Sequence, residues 1–215
     1  MSTDWLKWHE AYLDPASSIS QRLAVVVSEL SLSLDRAPMG LLKLVSLCAG
    51  DGRDVCTVLE GHERRRDVRA LLVEQDSELS RRARLRAKTC GGVEVITANA
   101  GLSSTIAEHR PFDVVLACGI FGNIAPSDIV TTIDSIASMM NIGGELIWTR
   151  HRGDPDLTPS IRRWLHDAGF DEIAFVSVNR TLAAVGRHRL TRQPRLDEPD
   201  EVMFRFVGDG SGAHS

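Results

Sequence analysis

The stretch that most limits the fold is Leu44 to Asp54, Leu-Val-Ser-Leu-Cys-Ala-Gly-Asp-Gly-Arg-Asp. An apolar run, Leu41 to Leu47, has the length of a buried strand. It breaks into the small residues Cys48, Ala49, Gly50 and Gly52. A helical spacing resumes near Arg53, with Val55, Val58 and Leu59 on one face. Strand, small-residue turn and helix open a βαβ unit of the kind that binds nucleotides. Small residues let a ligand approach the backbone closely, and glycine also reaches positive φ. The helix that follows aims its unpaired N–H groups at whatever the turn holds. An ordinary strand-to-helix turn can carry the same Gly-x-Gly, so the pattern needs support from elsewhere in the chain.

That support is a second apolar run, Arg69 to Val73, ending in Glu74-Gln75-Asp76. Glu74 stands some 22 residues beyond Gly52, near the ~20-residue offset at which an acidic side chain takes a ribose diol. A carboxylate accepts both hydroxyl protons and repels a 2′-phosphate. The alternative is a solvated acid at a strand end.

With both motifs in place, the chain resembles the class I S-adenosylmethionine-dependent methyltransferases over roughly Leu41 to Val178. Leu44 to Gly52 resembles that family's first motif, an apolar strand followed by Gly-x-Gly-x-Gly. Cys48 stands where the first glycine is usual, and Ser46 where an acid near the methionine amino group is common. Arg69 to Asp76 resembles the second motif, and Val95 to Ala100 the third. Asn99 takes the place of an Asp that reads the adenine amino group, and its side-chain carbonyl can accept the same bond. Phe112 to Phe121 resembles the fourth strand, and Asn141 to Ile147 the turn into the fifth.

The resemblance implies an α/β, Rossmann-like, seven-stranded and mostly parallel sheet with helices on both faces. It implies S-adenosyl-L-methionine as cofactor, held by Cys48, Ala49, Gly50, Asp51, Gly52, Arg53, Asp54, Glu74, Gln75, Asn99, Ala100, Cys118, Gly119 and Ile120. Two rival readings stay open. One is a non-catalytic nucleoside-cofactor-binding module, suggested by the departures at Ser46 and Cys48. The other is a dinucleotide-dependent oxidoreductase, against which Asp54-Val55 stand where a third glycine is needed.

Residues 1–36 read as an N-terminal helical cap or lid. Trp5, Trp8, His9 and Tyr12 come first, then a helix from about Ser18 with Leu23, Val26, Val27, Leu30 and Leu34 at helical spacing. Residues 37–207 form the main domain, and 208–215 a polar tail too poor in apolar residues to order itself. Within the domain, a Ser127 cap is expected to start a helix running to Met140, and Gly143-Gly144 to turn into a strand at Glu145. Ile173 to Val178, Leu182 to Leu190 and Val202 to Val207 all read as strands. Family members commonly finish with an antiparallel strand inserted beside the sixth, and Ala183 to His188 is the nearer candidate.

Composition narrows the partners. A chain of 215 residues with 43% hydrophobic residues reads as globular. No apolar run approaches a membrane span, and no basic stretch followed by an apolar core suggests export. The four cysteines lack metal-ligand spacing, so a zinc site is not expected. Reduced thiols and a cytoplasmic location are expected. A net charge of −4 gives no pull toward nucleic acid. A small-molecule acceptor remains, with O or N undecided. The oligomeric state stays open, a homodimer included.

Methyl transfer from a sulfonium is an in-line displacement with an excellent leaving group. Alignment and proximity can drive it, and a base is needed only where the acceptor must lose a proton. Loops after the fourth and fifth strands lie at the carboxyl edge of the sheet, where such folds bind ligands. They offer Phe121, Asn123, Trp148 and Arg150 as an acceptor pocket, with His151 and Tyr12 as catalytic candidates. Trp148 lies inside an apolar strand and reads equally as sheet core. His151 reads also as a capping histidine between two arginines.

Overall fold

The computed structural model describes residues 11–178 and 181–207. Trp5, Trp8 and His9, and the expected tail 208–215, lie outside the described residues. Seven strands form one sheet: β1 Leu42–Leu47, β2 Val68–Glu74, β3 Val93–Thr97, β4 Phe112–Ala117, β5 Met140–His151, β6 Phe170–Ser177 and β7 Ala183–Leu190. Their order is β3-β2-β1-β4-β5-β7-β6. The first five pair in parallel, and β7 runs antiparallel between β5 and β6. This is the seven-stranded, mostly parallel sheet that the motif order implies.

A parallel sheet is buried on both faces, and the strands show it residue by residue. Val45, Leu47, Val115, Ala117, Leu146 and Trp148 point to one side. Leu42, Leu44, Val114, Leu116 and Ile147 point to the other. The first side is covered by α4 (Pro126–Ser138) and α5 (Thr158–Asp167). The second is covered by α1 (Ser18–Arg36), α2 (Arg53–Gly61) and α3 (Ser77–Cys90). Side chains cap two of these helices: Ser17 Oγ accepts from Ser20 N–H at 3.2 Å, and Asp76 Oδ1 from Glu78 and Leu79 N–H at 2.9 Å. The α4 boundary differs from expectation. Pro126 occupies its first turn and Ala125 is the cap, so Ser127 lies inside the helix.

Two other expectations change in the structure. β5 starts at Met140, and Gly143-Gly144 is an irregularity within it, between the pairs Phe112↔Met140 and Val114↔Glu145. A Cβ on Gly144 would stand 2.9 Å from the carbonyls of Asn141 and Asp113. Second, Val202 to Val207 is not a strand. It makes isolated bridges, Leu102↔Val202 and Ile124↔Phe206, and crosses the carboxyl edge as a strap. Met203 N–H donates to Gly101 O at 2.8 Å, Val207 N–H to Asn123 O at 2.8 Å, and Thr132 Oγ1–H to Met203 O at 2.9 Å. Its backbone is satisfied by the loops after β3 and β4, which leaves no ladder for it to join.

The N-terminal helix is bound to the sheet by buried charge. Arg187 on β7 donates to Glu29 of α1 at 2.7 Å and to Glu145 of β5 at 2.9 Å, and Arg189 adds a bond to Glu145 at 2.7 Å. Arg187, Glu145 and Glu29 are 2%, 4% and 8% exposed. Removing one partner of such a set strands the others without compensation. Arg187→Ala is therefore expected to lower the unfolding free energy by about 3–5 kcal/mol, read by urea titration. A loss under about 1 kcal/mol, the worth of a surface pair, would show that water reaches the two carboxylates.

Candidate functional site

The turn after β1 takes the left-handed conformation at three of its five positions, Cys48 (φ 55), Gly50 (φ 57) and Gly52 (φ 69). Gly52 must be glycine for a second reason. A Cβ there would stand 2.7 Å from Leu72 Cδ1 and 3.4 Å from Ala83 Cβ, so Leu72 would have to shift for α2 to keep its place on the sheet and α3. The turn is tied to β2 by Ala49 N–H donating to Val73 O at 2.9 Å. It is also tied to the strand-end acid. Glu74 accepts the Gly50 N–H on one carboxylate oxygen at 2.7 Å and the Asp76 N–H on the other at 2.8 Å. Burial pushes the Glu74 carboxyl up, against the pull of those two amides.

Beside this edge lies a polar cluster drawn from four elements. Tyr12, from the 3₁₀ turn Ala11–Leu13, lies under the Arg53 guanidinium at 4.0 Å from its ring centre. Arg22 of α1 sits against the Tyr12 hydroxyl. Asp54 lies in the first turn of α2, and its charge and that of Arg22 act on Cys118, the residue after β4. Burial pushes up the Tyr12 hydroxyl and the Cys48 and Cys118 thiols, so all three stay protonated at neutral pH. Burial also pushes the Asp54 carboxyl up to about 6, although the Val55 amide donates to it.

The remaining expected cofactor residues divide. Asp51 is buried and held by Arg53 Nε at 2.8 Å and Arg86 at 3.2 Å, so it fastens the turn to α3. Gln75 and Asn99 are exposed, and Asn99 Oδ1 accepts the Gly101 N–H at 2.8 Å. Ala100 and Ile120 are core. Gly119 sits at φ 80, and a Cβ on it would meet nothing within 4 Å, which leaves open space at the end of β4.

The acceptor-side residues come out differently from expectation. Phe121 and Trp148 are fully buried and pack on each other, ring centres 5.8 Å apart. Trp148 is sheet core: its indole N–H donates to His188 Nδ1 at 3.2 Å, and Gly186 leaves the room its ring fills. They do not line a path for an acceptor. Asn123 donates to Gly119 O at 2.6 Å and Arg150 to Phe121 O, so both brace the loop after β4. His151 is exposed, and its Nδ1 accepts the Gly153 N–H at 2.9 Å. That bond occupies the basic lone pair of the neutral ring, which suits a turn cap and not a general base. Three contributors escaped the sequence reading. Thr149 Oγ1 accepts the Gly119 N–H at 2.8 Å, Arg22 faces Tyr12, and the strap runs over the edge. Thr149 alone had a local signal, lying next to Arg150 at a strand end.

Asp54 sets a pH test. Its folded value of about 6 lies above that of an unfolded carboxylate. The ionised group therefore costs stability as pH rises through about 6 and costs nothing near pH 4. Asp54→Asn is expected to be about 3 kcal/mol more stable than the parent at pH 8 and no more stable at pH 4. Urea titrations of both proteins at both pH values check this; His188, also buried, is common to the two and cancels. Equal stability at pH 8 would mean that the carboxylate is already compensated.

No protein-family model matches the chain, and no curated protein matches it. Solved structures do. Magnesium protoporphyrin IX methyltransferase from Synechocystis PCC 6803, with bound S-adenosylmethionine, superposes with a TM-score of 0.68 at 16% identity, covering 88% of this chain and 92% of that one. The 1,6-didemethyltoxoflavin N1-methyltransferase of Burkholderia thailandensis, with S-adenosylhomocysteine, gives 0.66 at 17% identity over 87% and 84%. The N-methyltransferase NodS of Bradyrhizobium japonicum WM9 gives 0.63 at 15% identity over 83% and 100%. At such identities the likeness speaks to architecture, and the architecture of this chain is the class I S-adenosylmethionine-dependent methyltransferase fold.

Proposed function

We propose that this chain is an S-adenosylmethionine-dependent methyltransferase acting on a small-molecule O or N acceptor. The observation that carries the reading is the union of the glycine turn with the strand-end acid through the bond from Gly50 N–H to Glu74. That union leaves a close-approach turn and a carboxylate on one edge of the sheet. The residues fit the cofactor. Each Glu74 oxygen has a second lone pair for a ribose hydroxyl, and the space beside Gly119 is open. Two neighbours of the same fold were solved with S-adenosylmethionine or S-adenosylhomocysteine.

Bound, S-adenosylmethionine would supply a methyl group on a sulfonium, whose leaving group needs no protonation. The chain's own part is alignment. Asn123 and Arg150 hold the loop after β4 by its carbonyls, and Thr149 holds the Gly119 amide. Tyr12, kept protonated by burial, is a donor and not a base. With the His151 lone pair also engaged, this chemistry favours an acceptor atom that arrives unprotonated, as an amine free base or an ionised acidic hydroxyl does.

Glu74→Ala tests the cofactor assignment by titration with S-adenosylmethionine. Two charge-assisted bonds, each worth roughly 1.5–3 kcal/mol, are expected to go. Parent-like binding would rule the assignment out. His151→Ala, followed by transfer of labelled methyl, is expected to keep turnover within about twofold, a change near 0.4 kcal/mol. A drop of a hundredfold would restore His151 as the base. Tight cofactor binding with no transfer to any acceptor would leave a non-catalytic binding module.

A further inference from the structure

We propose that the methyl acceptor is a small carboxylic acid and that the Arg150 guanidinium anchors its carboxylate. This rests on the methyltransferase reading above and names the acceptor class for the same site. Arg150 is the last residue but one of β5, at the carboxyl edge of the sheet. Its neighbour Thr149 holds the Gly119 amide, and Arg150 itself donates through Nη1 to Phe121 O. The guanidinium is therefore fixed against the loop Gly119 to Asn123. That loop has room beside it, since a Cβ on Gly119 or on Gly122 would meet nothing within 4 Å.

The run Arg150-His151-Arg152 spends its three side chains differently. Arg152 donates to Asp156 Oδ2 at 3.3 Å and to Ser177 Oγ at 2.7 Å. His151 caps the Gly153 amide. Arg150 has one hydrogen bond among the described residues, the one to Phe121 O, and its Nε is buried with no partner. Asp156, the carboxylate whose charge reaches Arg150, is already committed to Arg152 and to the amide and hydroxyl of Thr158, at 2.9 and 2.7 Å. Arg53, Arg162 and Arg187 are each paired with a carboxylate at 2.7 Å or less. Arg150 is thus a half-buried cation without a counter-ion, and burial weakens its hold on the proton. Bracing Phe121 O takes one donor, which leaves the edge made by Nε–H and an Nη2–H. Two parallel N–H groups on one edge match the two oxygens of a carboxylate. A neutral amide brings one acceptor oxygen and no charge. A donor held out of water and unpaired costs folding free energy, and a bound carboxylate satisfies it.

Matched acids and amides separate the carboxylate from the rest of an acceptor. The probes are 4-aminobenzoate, 4-hydroxyphenylacetate and β-alanine, each beside its own primary amide, with transfer of labelled methyl from S-adenosylmethionine giving kcat/KM. Affinity for S-adenosylhomocysteine is measured in parallel by calorimetry. The parent is expected to favour the acid of at least one pair over its amide by about tenfold or more. Arg150→Gln, which keeps a donor for Phe121 O, is expected to bring that ratio to within about twofold of unity and to leave S-adenosylhomocysteine affinity within about twofold. Arg150→Lys, which keeps the charge and loses the paired N–H edge, is expected to retain part of the preference. The inference is overturned if the parent treats acid and amide alike, if the preference survives in Arg150→Gln, or if that variant loses acid turnover and cofactor affinity by the same factor, as a plain brace would. A parent that binds S-adenosylhomocysteine and methylates none of the three acids sinks the anchor alone. A parent that does not bind S-adenosylhomocysteine sinks the cofactor reading and the anchor with it.

Discussion

One hydrogen bond joins the two halves of the nucleotide-binding edge. The Gly50 N–H belongs to the turn after β1, and the Glu74 carboxylate that accepts it closes β2. The turn is left-handed at three of five positions, and its local backbone bond runs from Gly52 N–H to Ala49 O at 3.0 Å. Its shape depends on what it is tied to: Val73 O at Ala49, Glu74 at Gly50, and the Arg53–Asp51–Arg86 set next to it. Glu74 therefore has two roles in one carboxylate, since the group that suits a ribose also shapes the turn that has to approach the nucleoside. Loss of Glu74 acts on affinity by both routes, and a measured loss of binding contains both.

The second dependence is electrostatic and lies on the helical side. α1 shares an apolar cluster with α2 and the sheet through Val26, Leu30 and Leu34. The Glu29–Arg187–Glu145 set adds direction, because charge and hydrogen-bond geometry must match at once. Such buried sets are weak as net stabilisers and strong at fixing one arrangement against others. Here the arrangement has a functional consequence. Arg22 lies two turns before Glu29 on the same helix, so the registry of α1 on the sheet sets where Arg22 meets the Tyr12 hydroxyl.

Much of this was legible in the sequence. β1, β2 and β4 announce themselves as apolar runs that stop at small or acidic residues, because a central parallel strand is buried on both faces and its carboxyl end must turn at once into a loop, whereas β3, at the sheet edge, is shorter and only half-buried. The first motif and Glu74 follow from local spacing, and so do the helices over Ser18–Arg36 and Ser77–Cys90. What was not legible depends on partners far along the chain. Val202 to Val207 alternates like a strand, yet its hydrogen bonds go to Gly101 and Asn123. Gly143-Gly144 has the composition of a turn, and only the pairing with β4 makes it an irregularity inside β5. Trp148 and Phe121 are aromatic residues near a sheet edge. The burial of Trp148 follows from Gly186 and His188, on a strand some 40 residues later, and Phe121 packs on the Trp148 ring. His151 carries no local mark distinguishing a cap from a base, and the distinction comes from one amide, that of Gly153.

The places where local rules are broken gather at one edge. Cys48 is a non-glycine residue with φ 55, a conformation that costs an L-residue of order 1 kcal/mol. Asp54 keeps a carboxylate in a site that raises its carboxyl to about 6. Neither feature helps the ligand-free fold, and both lie within the turn and first helical turn of the motif. Away from that edge the buried charges of Glu29, Arg187 and Glu145 are paired, and within the turn Asp51 is paired with Arg53 and Arg86. A chain that pairs its buried charge in the scaffold and leaves Asp54 and Glu74 on backbone amides keeps its least compensated charge at the carboxyl edge. A ligand that supplies the missing cation recovers free energy already spent in folding, so affinity at that edge and stability of the empty fold move in opposite directions.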